Sequence, residues 1–329
     1  MTQKTSLYVY ASPLREWNDF TDAHAKAREL SEEALRQFKS LVNGDSEEAP
    51  PLIIVGGLGS GKTQLIYHLF KLAWQKLELP ALYTNLRAVL AGIRNRLLQE
   101  GKDKISPDDL VRLLREFSLE KLRNISEFYD KGDYELSVFW LPEIPGMPSN
   151  ISPRKFFTTV LKSDDKVLEV INRVRNRKFG IVLFIDEVEM AFREFRELLE
   201  GGLRDFMEKI GQGTGGIYVV MAVSYLSYYE LFLSQFIGDA FHRRSIVVTI
   251  PPVSPDVLHE MLRSRWPDVA EKSNTLWWLT RGRLGWLTHL KGVVYINDKN
   301  ISELLSWWEK PHLREQLAEN LPVIDIEEL

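Results

Sequence analysis

The stretch that decides the fold is residues 52–63, whose sequence is LIIVGGLGSGKT. It begins with a short continuous apolar run, which is typical of a strand that is buried on both faces. From Gly56 to Thr63 it then fits the pattern G-x-x-x-x-G-K-[ST] without any departure, and an apolar-periodic helical segment follows. Strand, glycine-rich loop and helix in this order predict a loop whose backbone N–H groups surround a phosphate at a helix N-terminus.

Each residue type in this loop has a chemical reason. Glycines let consecutive N–H groups turn inward around an anion, Lys62 has the reach to contact the β- and γ-phosphates, and the Thr63 hydroxyl is suited to Mg²⁺. The alternative is a glycine-rich turn that binds nothing. The predicted nucleotide-binding residues are Gly56, Gly57, Leu58, Gly59, Ser60, Gly61, Lys62, Thr63 and Gln64.

An acidic pair, Asp186-Glu187, ends a second apolar run at 181–185. An aspartate at the end of such a strand can hold Mg²⁺ through its water shell, which makes Asp186 and Thr63 the candidate metal-binding residues. The adjacent Glu187 is the candidate base that orients and deprotonates an attacking water. The alternative for the pair is a solvated strand end.

The remaining pattern alternates strands with helices, which predicts an α/β fold with a parallel sheet covered on both faces. We predict an N-terminal segment (1–50), a nucleotide-binding core (51–250) with an insertion at 101–165, and a helical part (251–329). Further strands are predicted at 80–87, 215–224 and 245–250. Helices are predicted at 21–43, 62–78, 88–100, 106–130, 166–178, 188–210, 255–265, 273–280, 284–294 and 301–319.

Composition narrows the function class. The 329 residues are 44% hydrophobic, carry a formal net charge of −4 and include no cysteine. Disulfides, thiolate nucleophiles and iron–sulfur clusters are therefore excluded, and the six histidines show no metal-ligand spacing. The N-terminus lacks a signal-peptide pattern, and no apolar run approaches the ~20 residues needed to cross a bilayer. We expect a cytoplasmic protein that does not act in a membrane.

Taken together, these motifs resemble the AAA+ ATPases, in particular the branch of archaeal and eukaryotic origin-recognition initiators and related archaeal ATPases. The resemblance covers about residues 50–290, with the landmarks in the family's order. It implies a P-loop NTPase core with a small C-terminal helical lid, and ATP and Mg²⁺ as cofactors. A RecA-like core is the structural alternative, which the Asp-Glu pair and the helical lid disfavour.

The resemblance also implies roles for residues outside the loop. Asn85 ends the second strand, where the family often has a polar contact to the catalytic glutamate, and Ser224 stands at the sensor 1 position. Arg243 or Arg244 in FHRRS would be an arginine finger that reaches a neighbouring subunit's ATP, which implies a homo-oligomer. The alternatives are a helix N-cap for Ser224 and a surface ion pair or another phosphate contact for the two arginines.

The chain also departs from the family pattern. Gly285 falls where the sensor 2 arginine is expected, so Arg283 is the candidate substitute for nucleotide contact. The segment between the loop and the acidic pair is longer than usual, and we expect no full winged-helix domain within the residues that follow the lid. Residues 10–14 are a candidate lining for the base pocket.

Two function hypotheses follow. The first is an ATP-hydrolysing machine that oligomerises and acts on DNA or a DNA-bound protein. The second is an ATP-controlled signalling or interaction switch that acts on a protein partner without DNA. Such a partner would bind the insertion 101–165 or the tryptophan-rich C-terminus, although core packing and base stacking are alternatives for these tryptophans. The tryptophans are Trp266, Trp277, Trp278, Trp286, Trp307 and Trp308.

Overall fold

The computed structural model describes fourteen stretches of the chain. They are residues 24–40, 50–57, 59–129, 136–137, 150–159, 161–162, 165–175, 180–186, 188–198, 205–206, 209, 217–224, 245–265 and 267–285. The chain divides into two compact units. One comprises residues 26–55 and 63–249, and the other comprises residues 1–25, 56–62 and 250–329.

A five-stranded sheet forms the centre of the larger unit. Its strands are β1 (Leu52–Gly56), β2 (Ala81–Asn85), β5 (Ile181–Asp186), β6 (Ile217–Val223) and β7 (Ile246–Ile250). They lie in the order β2-β5-β6-β1-β7, and the pairs β2–β5, β5–β6 and β6–β1 are parallel. A short antiparallel pair, β3 (Leu136–Ser137) and β4 (Asn150–Ile151), stands apart from it. The predicted α/β fold with a parallel sheet is confirmed.

The helices fall between the strands as the alternating pattern predicts. The first seven are α1 (Ala25–Ser40), α2 (Lys62–Gln75), α3 (Leu86–Gln99), α4 (Pro107–Phe128), α5 (Pro153–Thr159), α6 (Asp165–Arg175) and α7 (Val188–Phe195). The smaller unit contributes α8 (Pro255–Arg265), α9 (Pro267–Ala270) and α10 (Ser273–Thr280). The C-terminal helix predicted at 301–319, and all but the start of the one at 284–294, lie outside the described residues.

The central strands are apolar on both faces, as a sheet covered on both sides requires. Every residue of β1 and β5 is buried, and so is all of β6 except its first residue. Phe70 of α2 packs its ring edge-on against Phe184 of β5, with ring centroids 5.9 Å apart. Burial on both faces explains why these runs are uninterrupted and carry no charged residue before Asp186.

Segment boundaries mostly agree with the sequence prediction, with one clear correction. The helix predicted over 188–210 is not continuous: α7 ends at Phe195 and a single 3-10 turn follows over Arg196–Leu198, whereas residues 205–206 and 209 are again helical. Leu198 is buried, and its carbonyl accepts a hydrogen bond from the N–H of Ile105, 2.8 Å away. That long-range bond uses the carbonyl that the next helical turn would need, because helix propagation requires each C=O to accept from residue i+4.

The predicted insertion contributes to the core of the larger unit. Helix α4 begins as the sequence indicates, with the Ser106 hydroxyl accepting from the Asp109 N–H at 3.1 Å and proline at the first helical position. The ring of Phe157 in α5 lies edge-on to Trp74 of α2, with centroids 4.8 Å apart, and both are fully buried. At least this part of the segment 101–165 therefore packs as core structure.

A buried histidine joins α1 to α2. The Nε2–H of His68 donates to the Glu32 carboxylate at 2.8 Å, since a carboxylate can only accept. Burial lowers the pKa of His68 to about 4, because the charged imidazolium loses its hydration there. The bond is therefore one between a neutral imidazole and a carboxylate at neutral pH.

Candidate functional site

The glycine-rich loop follows β1 directly and ends where α2 begins at Lys62. Two of its glycines, Gly59 (φ 76°) and Gly61 (φ 102°), have backbone conformations that L-residues with a side chain rarely adopt. A Cβ on Gly56 would come within 2.4 Å of the Ser60 hydroxyl oxygen. The glycines therefore serve both the turn and the close packing of the loop on itself.

Lys62 lies over its own loop. Its ammonium donates to the carbonyl oxygens of Gly56, at 2.8 Å, and Gly57, at 3.1 Å. The positive charge is thereby held beside the loop, where the sequence motif requires it. Gln64, also predicted in the site, is half-buried in the first turn of α2.

Thr63, which follows Lys62, contacts the acidic end of β5. The Thr63 hydroxyl donates to Oδ2 of Asp186 at 2.8 Å, which joins α2 to the last residue of β5. The two residues are 123 positions apart in sequence. Asp186 is only 6% exposed, so its carboxylate is oriented by protein groups as well as by solvent. The fold has thus brought together the two residues that the sequence proposed for a metal.

Tyr83 of β2 also contacts this carboxylate, and the sequence reasoning missed it. Its phenol donates to the same Oδ2 atom of Asp186 at 3.1 Å. In the parallel β2–β5 pair, Asn85 is the register partner of Asp186 and Tyr83 that of Phe184. Because side chains alternate along a strand, Tyr83 is on the same sheet face as the strand-end position. The sequence signal for Tyr83 is its position two residues before Asn85, which places the two residues on the same face of the strand.

The remaining predicted residues are placed as follows. Asn85 and Ser224 stand at the carboxyl ends of β2 and β6, and Ser224 is half-buried. Carboxyl ends of parallel strands share one sheet edge, so both positions belong to the edge that carries Asp186. Four predicted site residues lie outside the described residues, as does the segment 10–14: Leu58, Glu187, Arg243 and Arg244.

In the smaller unit, the chain after α10 packs directly on the glycine-rich loop. The Gly285 N–H donates to the Gly59 carbonyl at 2.8 Å. Arg283 is 6% exposed, and a Cβ on Gly57 would lie 2.8 Å from the guanidinium carbon of Arg283. The candidate substitute for the sensor 2 arginine therefore contacts the loop, whereas Gly285 contacts it through its backbone alone.

The donor set at Asp186 suits a hard divalent cation. Thr63 supplies a hydroxyl oxygen and Asp186 a carboxylate oxygen, and Mg²⁺ prefers oxygen ligands. Within the stretches that the structure describes, there is no group of three or more His, Cys, Asp or Glu residues placed to hold a metal ion. A site with one carboxylate and one hydroxyl fits Mg²⁺, which usually keeps waters and substrate phosphates among its ligands.

The tryptophans that the structure describes have unlike environments. Trp277 is half-buried and donates its indole N–H to the Val253 carbonyl at 2.7 Å. Trp278 is 64% exposed, with the Arg281 guanidinium 3.9 Å from its ring centroid. The other four tryptophans of the C-terminal group lie outside the described residues. None of the helices that the structure describes combines the length and the apolar character that a membrane span requires.

Comparison with known proteins gives structural similarities only. No protein-family model and no curated protein sequence matches the chain. The Walker-type ATPase PABY2304 of Pyrococcus abyssi is similar, with 16% identity, a TM-score of 0.45 and coverage of 93% of this chain and 77% of that one. Domain III of the Thermotoga maritima replication initiation protein DnaA has 15% identity, a TM-score of 0.43 and coverage of 93% and 95%.

A third similar structure is CDC6P of Pyrobaculum aerophilum, with 14% identity and a TM-score of 0.35. The match covers 74% of this chain and 49% of that one. The fold assignment itself rests on the order and the parallel pairing of the strands described above.

Proposed function

We propose that this chain binds ATP together with Mg²⁺ and hydrolyses the ATP, as an AAA+ ATPase. The observation that carries the proposal is the 2.8 Å hydrogen bond from Thr63 to Asp186. A glycine-rich loop that binds nothing has no need for a hydroxyl at its end to meet a buried carboxylate. A nucleotide-binding loop does, because these two groups are the ones that orient a magnesium ion beside bound phosphates.

The residues divide the work as follows. Backbone N–H groups of the loop and the start of α2 bind phosphate oxygens, and the Lys62 ammonium exchanges its two carbonyl contacts for those oxygens. Thr63 and Asp186 would hold Mg²⁺, which would supply positive charge beside the phosphates. Arg283 contributes a second positive charge at Gly57, and Glu187 orients and deprotonates the attacking water.

We further propose that turnover is coupled to oligomerisation and to action on DNA or a DNA-bound protein. The sequence resemblance supports this step, through the segment FHRRS with its candidate finger Arg243 or Arg244. An arginine donated by a neighbouring subunit can accelerate phosphoryl transfer by ~10³–10⁵, so turnover would rise with protein concentration.

The experiment is steady-state ATP hydrolysis by the purified chain with Mg²⁺, with and without single- and double-stranded DNA. Lys62→Ala is the blank, and Lys76→Ala, which changes an exposed lysine just after α2, is its matched control. We expect turnover in the parent and in Lys76→Ala, and none above background in Lys62→Ala. Equal rates in all three would contradict an ATPase. Stimulation by DNA would support action on DNA, whereas indifference to DNA would favour the protein-directed switch.

A further inference from the structure

The phenol of Tyr83 and the hydroxyl of Thr63 donate hydrogen bonds to the same carboxylate oxygen of Asp186. Thr63 approaches Oδ2 from α2 at 2.8 Å, and Tyr83 approaches it from β2 at 3.1 Å. Two donors on one oxygen, anchored on two different elements, fix both the position and the plane of the carboxylate. Tyr83 itself belongs neither to the glycine-rich loop nor to the acidic pair.

The two donors differ in what else they can do. A threonine hydroxyl has one proton and two lone pairs, so Thr63 can donate to Asp186 while a lone pair faces a cation. We assign Tyr83 no place among the metal ligands, because its phenol contacts Asp186 as a hydrogen-bond donor. The backbone of Tyr83 is fixed in β2, which pairs with β5 from Ala81 opposite Val182 to Asn85 opposite Asp186. Tyr83 is diagonal to Asp186 in this pair, a separation that an aromatic side chain can span.

A buried carboxylate with a fixed plane presents its oxygens to a metal without first losing rotational freedom. Partners that orient metal ligands in this way typically change metal affinity by ~10–100-fold when they are removed. Asp186 is almost fully buried, so little water can reach its carboxylate to replace the phenol in that role.

We propose that Tyr83 is a positioning residue of the Mg²⁺ site: its phenol holds the Asp186 carboxylate in the orientation that the metal requires. The inference rests on the proposed function and adds to it a residue that the nucleotide-binding motifs do not contain. It predicts that Tyr83 contributes to nucleotide binding only when Mg²⁺ is present. A residue with a purely structural role would affect binding with and without the metal alike.

The test is the affinity for a non-hydrolysable ATP analogue, measured calorimetrically in Mg²⁺ and again in EDTA. The variant is Tyr83→Phe, which removes one oxygen and keeps the ring. The matched control is Tyr218→Phe on β6, because the buried Tyr218 hydroxyl has no hydrogen-bond partner within the described part of the chain. Thermal unfolding of each variant provides a readout that is independent of the ligand.

We expect Tyr83→Phe to weaken binding of the analogue ~10-fold in Mg²⁺ and to leave binding in EDTA unchanged. A higher Mg²⁺ concentration should restore the affinity of this variant. Tyr218→Phe should match the parent in both buffers. Equal losses in Mg²⁺ and in EDTA, or no loss in either, would overturn the role of Tyr83 alone. If the parent binds the analogue no better with Mg²⁺ than with EDTA, the proposed Mg²⁺ site itself fails, and the role of Tyr83 fails with it.

Discussion

The strand end at Asp186 and the loop at 56–61 are both predicted to contact the nucleotide, yet they are held in place by different means. At the strand end, side chains of Thr63 and Tyr83 donate to one carboxylate. At the loop, the contacts are mainly with the backbone: carbonyls accept from Lys62 and from the Gly285 N–H. The strand end therefore depends on which functional groups are present, whereas the loop depends on which side chains are absent.

The largest expected effect is at the strand end, where chemistry depends on a single functional group. Glu187→Gln removes a base and keeps the size of the side chain, so ATP hydrolysis should fall by ~10²–10⁴ while ATP still binds. Single-turnover hydrolysis and analogue binding measure the two effects separately. Glu197→Gln, which changes an exposed carboxylate beyond α7, is the matched control and should match the parent. Hydrolysis by Glu187→Gln at the parent rate would show that the acidic pair has been assigned wrongly.

The next effect concerns Arg283, whose charged side chain contacts the glycine-rich loop from the segment after α10. Arg283→Ala should weaken affinity for the non-hydrolysable ATP analogue by ~10–100-fold, because hydrogen bonds to charged groups contribute about 1.5–3 kcal/mol. Calorimetric binding measures it. Arg281→Ala is the matched control, since Arg281 stacks on Trp278 and belongs to the same turn. Equal losses in both variants would indicate that the whole turn, rather than the Arg283 guanidinium, determines affinity.

The residues of the site differ in how far the sequence alone could predict them. The motif G-x-x-x-x-G-K-[ST] and the apolar run before Asp186 identify Lys62, Thr63 and Asp186, because each needs a particular functional group at a fixed place in a local pattern. Tyr83 could not be identified with the same ease. Its contact depends on the β2–β5 register, which no local pattern specifies.

The segment after α10 also shows a limit of prediction from sequence, because family spacing points to the wrong position there. Family spacing places an arginine at position 285, where this chain has glycine, and Arg283 contacts the loop instead. The strands were predictable because continuous apolar runs are buried on both faces. The early end of α7 was not, because it coincides with a hydrogen bond between Leu198 and Ile105 that links distant parts of the chain.

Gly285 tests the loop's dependence on missing side chains. A Cβ at Gly285 would lie 2.8 Å from both the Cα and the carbonyl oxygen of Gly59, which are backbone atoms with little freedom to move. Gly285→Ala should therefore separate the two segments and destabilise the fold by about 1–3 kcal/mol. Urea unfolding measures this. Unchanged stability would mean that the contact between Gly285 and Gly59 is not made in solution.

The smallest expected effect is a gain in stability rather than a loss, and it comes from Gly92, where an added methyl group has open space. Gly92 is an exposed interior residue of α3, and among the described residues a Cβ there would meet no heavy atom within 4 Å apart from the neighbouring backbone of its own helix. Glycine in a helix costs about 0.5–1 kcal/mol relative to alanine, so Gly92→Ala should stabilise the chain by that amount in the same urea assay. The two glycine variants thus contrast a methyl group that would meet the backbone of Gly59 with one added at an open position inside a helix. A loss of stability in Gly92→Ala would show that helix propensity does not govern this position, and the contrast with Gly285 could no longer be attributed to packing alone.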